Sequence, residues 1–301
     1  MKSIKKSIKF FLLKIPFINN YYQIIFSSRF KPGHYHSTIP NLREIEEDTD
    51  VIFGEKELAG IELNTDNQLQ LLNTFKSFYL SYPYTKESSL RYKKEGAWYR
   101  YSDSVFLYCM LRSFEPKRII EVGSGNSSLI MLDTSELFLD NRIRFTFIEP
   151  YPDRLLKNLR ETDKKVHTII PRKVQSVKLE TFQILDRNDI LFIDSSHVSK
   201  VGSDVNYLIF EVLPSLNPGV LIHIHDIFFP FEMPKQWVLE KHWFWNENYI
   251  LHAFLMNNKN YEIVAFNTYL QKIKPDWFKK EMPECLIRSE SSGSLWIRKM
   301  A

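Results

Sequence analysis

The run Glu121-Val122-Gly123-Ser124-Gly125-Asn126-Ser127-Ser128 leads from a β-rich stretch into a helical one, and a second acid, Glu149, ends the next β-rich stretch. Gly123 and Gly125 allow close backbone approach in a turn, and Ser127 or Ser128 is placed to cap the helix behind it. A carboxylate at Glu149 suits the two hydroxyls of a ribose. Glu121 lies where the cationic amino group of a bound amino-acid moiety would sit. The dinucleotide fingerprint G-x-G-x-x-G fails, because Ser128 stands in place of its third glycine. Carboxylates beside such a turn repel a pyrophosphate and attract an ammonium or a sulfonium. The residues therefore favour S-adenosylmethionine over NAD.

Two further runs carry polar groups to strand ends: Phe192-Ile193-Asp194-Ser195-Ser196-His197 and Val220-Leu221-Ile222-His223-Ile224-His225-Asp226. His223 and His225 are two apart and share one side of a strand, whereas Asp226 turns into the following loop. Two chemistries compete here. In one, Asp194, Asp226 and either His225 or His197 hold a divalent cation, Mg²⁺ with oxygen ligands or Mn²⁺ with added imidazole, that lowers the pKa of an acceptor hydroxyl. In the other, His225 or His197 is a general base that needs no metal. Histidines that only satisfy buried hydrogen bonds are the bland alternative. The aromatic loop after this edge, Phe228 to Phe231 and on through Trp237, Trp243, Trp245 and Tyr249, suits a lid that stacks a flat acceptor, a seal over the sheet, or an oligomer contact.

These groups need a scaffold that gathers strand ends. From Arg118 onward, short β-rich runs at Arg118–Val122, Phe145–Glu149, Lys165–Ile170, Asp189–Asp194 and Gly219–His225 alternate with helical segments at Ser128–Leu139, Asp153–Arg160, Val177–Leu185 and Asp204–Leu213. That alternation predicts a parallel sheet wound on both faces. A helix at Asn246–Met256, a strand at Tyr261–Phe266, an irregular proline-containing stretch and a final strand at Ser294–Arg298 complete seven strands, the last pair antiparallel. The expected fold is α/β, a doubly wound, mostly parallel seven-stranded sheet with an N-terminal helical extension. Such sheets bind ligands beyond their carboxyl strand ends. Upstream, Leu69, Leu72, Phe75 and Phe78 share a helix face that ends before Pro83, and a second helix opens at Ser102 or Asp103. The expected boundaries are a basic arm at 1–31, a helical extension at 32–114 and the catalytic domain at 115–301.

The 301 residues include 40 Lys and Arg against 36 Asp and Glu, and seven of the basic residues fall in 1–31, which has no acid. The remainder is slightly acidic, which argues against a nucleic-acid-binding body. Lys9, Lys14 and Pro16 break every apolar run of the arm below the roughly 20 residues a spanning helix needs. The arm then either packs on the protein or lies on anionic lipid. Two cysteines, Cys109 and Cys285, exclude a disulfide framework and fit a reducing, cytoplasmic setting.

Through Glu121–Gly125, Glu149 and the Asp194 strand end, residues 100–300 resemble class I S-adenosylmethionine-dependent methyltransferases. The resemblance implies that the adenine packs near Val174 or Gln175. The acids at the fourth and fifth strand ends are similar to those of metal-dependent O-methyltransferases, although His-Ile-His-Asp departs from that branch's acid-acid or acid-amide pair. With Phe30 to Ser37, the arrangement also resembles methyltransferases encoded among glycosyltransferases for surface polysaccharides, which implies a sugar hydroxyl as acceptor. The expected activity is O-methylation of a small or carbohydrate-type hydroxyl. Glu121, Gly123, Gly125, Glu149 and Gln175 would bind the donor, and Asp194, His197, His225 and Asp226 would form the reaction edge. A hydroxylase using the same His/Asp cluster for iron, and a non-catalytic partner in envelope assembly, are the competing classes.

Overall fold

The β-branched and aromatic runs pair into one sheet whose strand order explains how residues far apart in sequence meet. The structure, a computed structural model, describes residues 29–85, 89–288 and 292–301. The strands are β1 (Arg118–Val122), β2 (Arg144–Ile148), β3 (Thr168–Ile170), β4 (Ile190–Ile193), β5 (Leu221–His225), β6 (Tyr261–Phe266) and β7 (Ser294–Lys299). They lie in the order β3-β2-β1-β4-β5-β7-β6. Strands β1 to β5 are parallel, and β7 runs antiparallel between β5 and β6. Strand order reverses between β1 and β4, so a crevice opens at their carboxyl ends.

Burial follows from this placement. β4 and β5 are buried throughout; β4 reads as a continuous apolar run, as a strand covered on both faces does, and β5 departs from that at His223 and His225. Helices α1 (Thr65–Tyr79), α2 (Ser102–Phe114) and α3 (Asn126–Phe138) share a single core with the sheet through Phe75, Phe106 and Ile130. In α2, Ser102 through Leu111 are all buried. A helix with no wet face over that span is wedged between layers.

Several local expectations are corrected. Val177–Leu185 is no helix but runs through a 3₁₀ turn at Leu179–Thr181, where Leu179, Phe182 and Leu185 recur every three residues. That spacing fits a three-residue repeat as well as an α-helical face. The third strand begins at Thr168, because Lys165 and Val166 close the helix Glu161–Val166, whose start Asp163 caps by accepting from the Arg160 N–H. The stretch expected to be irregular after β6 holds two helices, Asn267–Ile273 and Pro275–Glu281. Pro275 opens the second at its first position, where a missing N–H costs nothing.

The chain forms two compact units. The larger, residues 56–234 with 245–301, holds the sheet and α1 to α3, so the boundary expected at 114/115 falls within it. The smaller, among the described residues 29–55 with 235–244, holds short helices at Leu42–Glu47, Thr49–Phe53 and Lys235–Leu239. In it Phe30, His34, Tyr35 and His36 stack on one another, and Trp237 packs edge-on to Trp243. Arm residues 1–28, with the expected packing or lipid contact, lie outside the described residues. Among the described residues no helix is long and apolar enough to cross a membrane.

One buried ion network ties α3 to its neighbours. The Arg91 side chain, only 4% exposed, reaches Asp133 of α3 at 2.9 Å, Glu136 at 2.7 Å and Asp163 at 2.8 Å. Asp133 also accepts the backbone N–H groups of Arg91 and Tyr92. Removing the guanidinium strands buried carboxylates, so Arg91→Ala is expected to cost about 3–5 kcal/mol in urea unfolding. Arg91→Lys should recover less than half of that, since an ammonium cannot bridge three acids in this fork geometry. A loss under about 1 kcal/mol for Arg91→Ala would show that the network is not holding α3.

Candidate active site

The turn after β1 is set by a contact that only glycine allows. Gly123 has φ +81°, and a Cβ there would lie 1.8 Å from the carbonyl oxygen of Asp194. Asp194 in turn donates its N–H to the Val122 carbonyl, and Gly123 donates to that of Ile148. Three strand ends are thereby stitched together. Helix α3 starts at Asn126 with Gly125 as its cap residue, and Ser128, at the third helical position, closes a capping box with it, as one of the two serines was expected to do. Its Oγ reaches back to accept from the Gly125 N–H at 2.9 Å.

Those two serines explain Glu121. Its carboxylate is fully buried and accepts from the hydroxyls of Ser127 and Ser128, each at 2.5 Å. Burial outweighs both hydrogen bonds and lifts its pKa to about 8. Glu121 thus braces the turn from behind and does not face the crevice. Glu149 does face it: with Gly123, Lys173, Gln175, Asp194 and Asp204 it lines a cleft of about 370 Å³. One Glu149 oxygen accepts from the Ser124 N–H at 3.2 Å and the other from the Tyr151 N–H at 2.8 Å. A carboxylate has about four acceptor positions, so each oxygen keeps capacity for a ligand. Gln175 donates to the Gly202 carbonyl at 2.9 Å and so anchors the loop at the cleft mouth. Gly125 lies under Arg154, whose guanidinium would be 2.6 Å from a Cβ there.

The second half of the site lies at the ends of β4 and β5. Asp194 Oδ1 is 3.4 Å from His197 Nε2 and 3.4 Å from His225 Nδ1. Asp226 Oδ2 is 3.7 and 3.6 Å from the same two nitrogens. Ligand atoms of Asp194, His197 and His225 all lie within 4.8 Å of one another. His197 and Asp226 reach these positions with φ +59° and +55°, a region that costs non-glycine residues energy and recurs at functional sites.

Charge balances closely in this cluster. Burial opposes ionisation of Asp194, but the His225 and His197 rings carry its pKa well below the usual carboxylate range. Burial lifts Asp226 to about 6 against the pull of the same rings. For His197, burial lowers the pKa, yet Asp194, Glu247 and Asp226 together raise it to about 10. His225 is likewise raised, with Asp226 and Asp194 overcoming its burial. His223 belongs elsewhere: fully buried, it stacks on Phe192 at 4.0 Å, and burial drives its pKa down. It is a neutral core residue.

Three groups around the cluster were not singled out for this role by the sequence. Glu247, in the first turn of helix α4 (Glu247–Leu255), is 2.9 Å from His197 Nδ1. Asp103, in the first turn of α2, approaches His225 Nε2 at 3.5 Å and accepts from Asn267 at 3.0 Å. Tyr99 packs its ring 4.9 Å from that of His225. Both acids sit where acids ordinarily favour a helix start, so nothing in their spacing sets them apart. Trp245, from the aromatic loop, stacks on His197 at 4.6 Å, whereas Phe228 and Phe231 are buried and Phe229 packs against Phe266 and Tyr269.

The raised pKa of Glu121 has a measurable consequence. An acid whose folded pKa exceeds its unfolded value contributes stability in full below about 4.5, and that contribution is lost as pH rises through about 8. Wild type should therefore lose stability between pH 5 and 8.5, by on the order of a few kcal/mol relative to Glu121→Gln. Denaturant titrations of both proteins across that range check it, and parallel profiles would remove the assignment.

Residues 120–227 match the family model described as Methyltransferase domain. An uncharacterized protein of Archaeoglobus fulgidus is 34% identical over 168 residues, which cover 54% of this chain and 76% of that protein. Among solved structures, the O-methyltransferase TomG from Streptomyces achromogenes, in complex with SAM, is 11% identical with a TM-score of 0.45, over 86% of this chain and 96% of that one. An O-methyltransferase from Bacillus cereus in complex with SAH is 12% identical with a TM-score of 0.43, over 85% and 97%. Both structural likenesses are too distant to carry an argument. The domain match stands with the glycine turn and the β3-β2-β1-β4-β5-β7-β6 order: residues 120–227 form a methyltransferase domain at the centre of the chain.

Proposed function

We propose that the protein transfers the methyl group of S-adenosylmethionine to a hydroxyl of a small, carbohydrate-type acceptor held at the Asp194–His197–His225–Asp226 edge. One observation carries the reading: Asp194 lines the donor cleft and also approaches both imidazoles. A donor in the cleft and an acceptor at the cluster would share that wall. Gly123 leaves room for the donor backbone, Glu149 receives the ribose hydroxyls, Gln175 holds the loop that borders the cleft, and Glu121 fixes the turn. The flat Trp245 ring beside His197 suits the apolar face of a sugar. In the transfer the methyl carbon forms a bond to the acceptor oxygen as its bond to sulfur breaks, the pair stays on sulfur to leave S-adenosylhomocysteine, and the hydroxyl proton passes to a carboxylate of the cluster. Such a transfer depends mainly on positioning.

The cluster also fits a divalent cation held by Asp194, Asp226 and His225. The His–Asp separations of 3.4–3.7 Å exceed ordinary hydrogen bonds. Neither ring nitrogen of His225 has a hydrogen-bond partner although the residue is buried. A cation between these groups supplies positive charge that favours deprotonation of a hydroxyl. His197, Asp194 and Asp226 then orient the acceptor and exclude water from it.

Isothermal titration tests the donor site. Wild type should bind S-adenosylmethionine and S-adenosylhomocysteine but not NAD, and Glu149→Ala should weaken both by about 10–100-fold. Unchanged affinity would remove the ribose assignment. Transfer to a panel of monosaccharides and glycosides, followed as S-adenosylhomocysteine release, tests the acceptor class. Exhaustive EDTA should abolish that release while donor binding persists. Full activity after EDTA would remove the cation from this reading.

A further inference from the structure

We infer that the cation site is built for an imidazole-preferring first-row transition ion, with His197 and His225 both as ligands and Glu247 as the residue that positions His197. This rests on the cation reading above and specifies which ion the site takes. The geometry separates the two nitrogens of His197. Nδ1 lies 2.9 Å from the Glu247 carboxylate, so the proton on that nitrogen donates to it. Nε2 is then the atom that faces Asp194 and Asp226. A ring that donates one N–H to a carboxylate and offers the other nitrogen to a shared point has the arrangement of a metal-bound histidine with its orienting partner. His225 repeats the pattern more loosely, with Nδ1 toward Asp194 and Asp226 and Nε2 toward Asp103.

Three further observations support a ligand at the shared point. His225 is buried with no hydrogen bond at either nitrogen, and its three acid neighbours stand off at 3.4–3.6 Å, longer than an ordinary hydrogen bond. His197 is held at positive φ, and its backbone carbonyl accepts from the N–H groups of Asn246 and Glu247. The start of α4 thus fixes both the main chain and the ring of His197. Ligand type then selects the ion. Two imidazoles with one or two carboxylates suit Mn²⁺, Fe²⁺, Co²⁺ or Zn²⁺, whereas Mg²⁺ favours oxygen ligands and retained water.

Metal binding itself provides the test, independent of turnover. Metal-free full-length protein is titrated with Co²⁺, followed by visible absorption, and with Mn²⁺, followed by electron spin-echo envelope modulation, which reports coordinated nitrogen. Wild type should take up one equivalent of Co²⁺ that Mg²⁺ displaces only at more than about 100-fold excess. Mn²⁺ should show modulation from two imidazoles. His197→Gln should retain modulation from one. Glu247→Gln should keep both couplings but weaken Co²⁺ by about 10–100-fold, while a merely structural loss would lower thermal stability and leave affinity unchanged. Oxygen-only Mn²⁺ spectra, or displacement of Co²⁺ by stoichiometric Mg²⁺, would overturn the inference and leave the cation reading standing. Failure to bind any of the three ions, with S-adenosylhomocysteine binding intact, would overturn both.

Discussion

The contact between Gly123 and the Asp194 carbonyl is the constraint on which the site depends. A side chain of any size at 123 would collide with backbone, and backbone at a strand end cannot yield as the tip of a side chain can. The contact brings the β1 turn against the end of β4, and the Asp194 N–H closes the pairing onto Val122. Glu121, Ser127 and Ser128 hold the same turn from the buried side. The glycine turn therefore does more than leave room for a ligand. It sets the distance between the cleft lined by Glu149 and the cluster that contains His197 and His225.

Much of this was legible in the sequence because its causes are local. Strand positions β1, β2, β4 and β5 follow from β-branched runs, and Pro218-Gly219 marks the turn into β5 at φ +92° for the glycine. The acids and histidines at strand ends are visible because a parallel sheet delivers every carboxyl end to one edge. What could not be read was set by packing. The 177–185 segment carries apolar residues at a spacing that two helix types share, and burial of Phe182 and Leu185 under the sheet decides for the tighter turn. After β6, two prolines suggest irregular chain, although both open helical turns in the structure.

The candidate site divides the same way. Gly123, Glu149 and Asp194 lie on one cleft, as their strand-end positions implied, and Gln175, taken from the resemblance alone, lines it too. Glu121 does not, because the hydroxyls of Ser127 and Ser128, six and seven residues ahead in the first turn of α3, capture its carboxylate. His223 and His225 alternate to the same face, yet one lies inside the sheet against Phe192 and Trp296 and the other at its rim. Two residues along a strand, roughly 7 Å, separate a neutral core ring from one held among three carboxylates. Glu247 and Asp103 come from helices 144 residues apart in sequence numbering, so their convergence on two histidines is a property of the tertiary fold alone.

Asp194 belongs to two environments at once, with one side on the cleft lined by Glu149 and Oδ1 toward both imidazoles. A charge bound on one side alters the field and position of a residue that the other side also uses. Thermodynamic reciprocity then applies: whatever factor occupancy of the cleft imposes on affinity at the cluster, occupancy of the cluster must impose on affinity in the cleft. A shared partition wall of this kind couples the two halves by the same factor in both directions, so their joint occupancy costs the same whichever ligand arrives first.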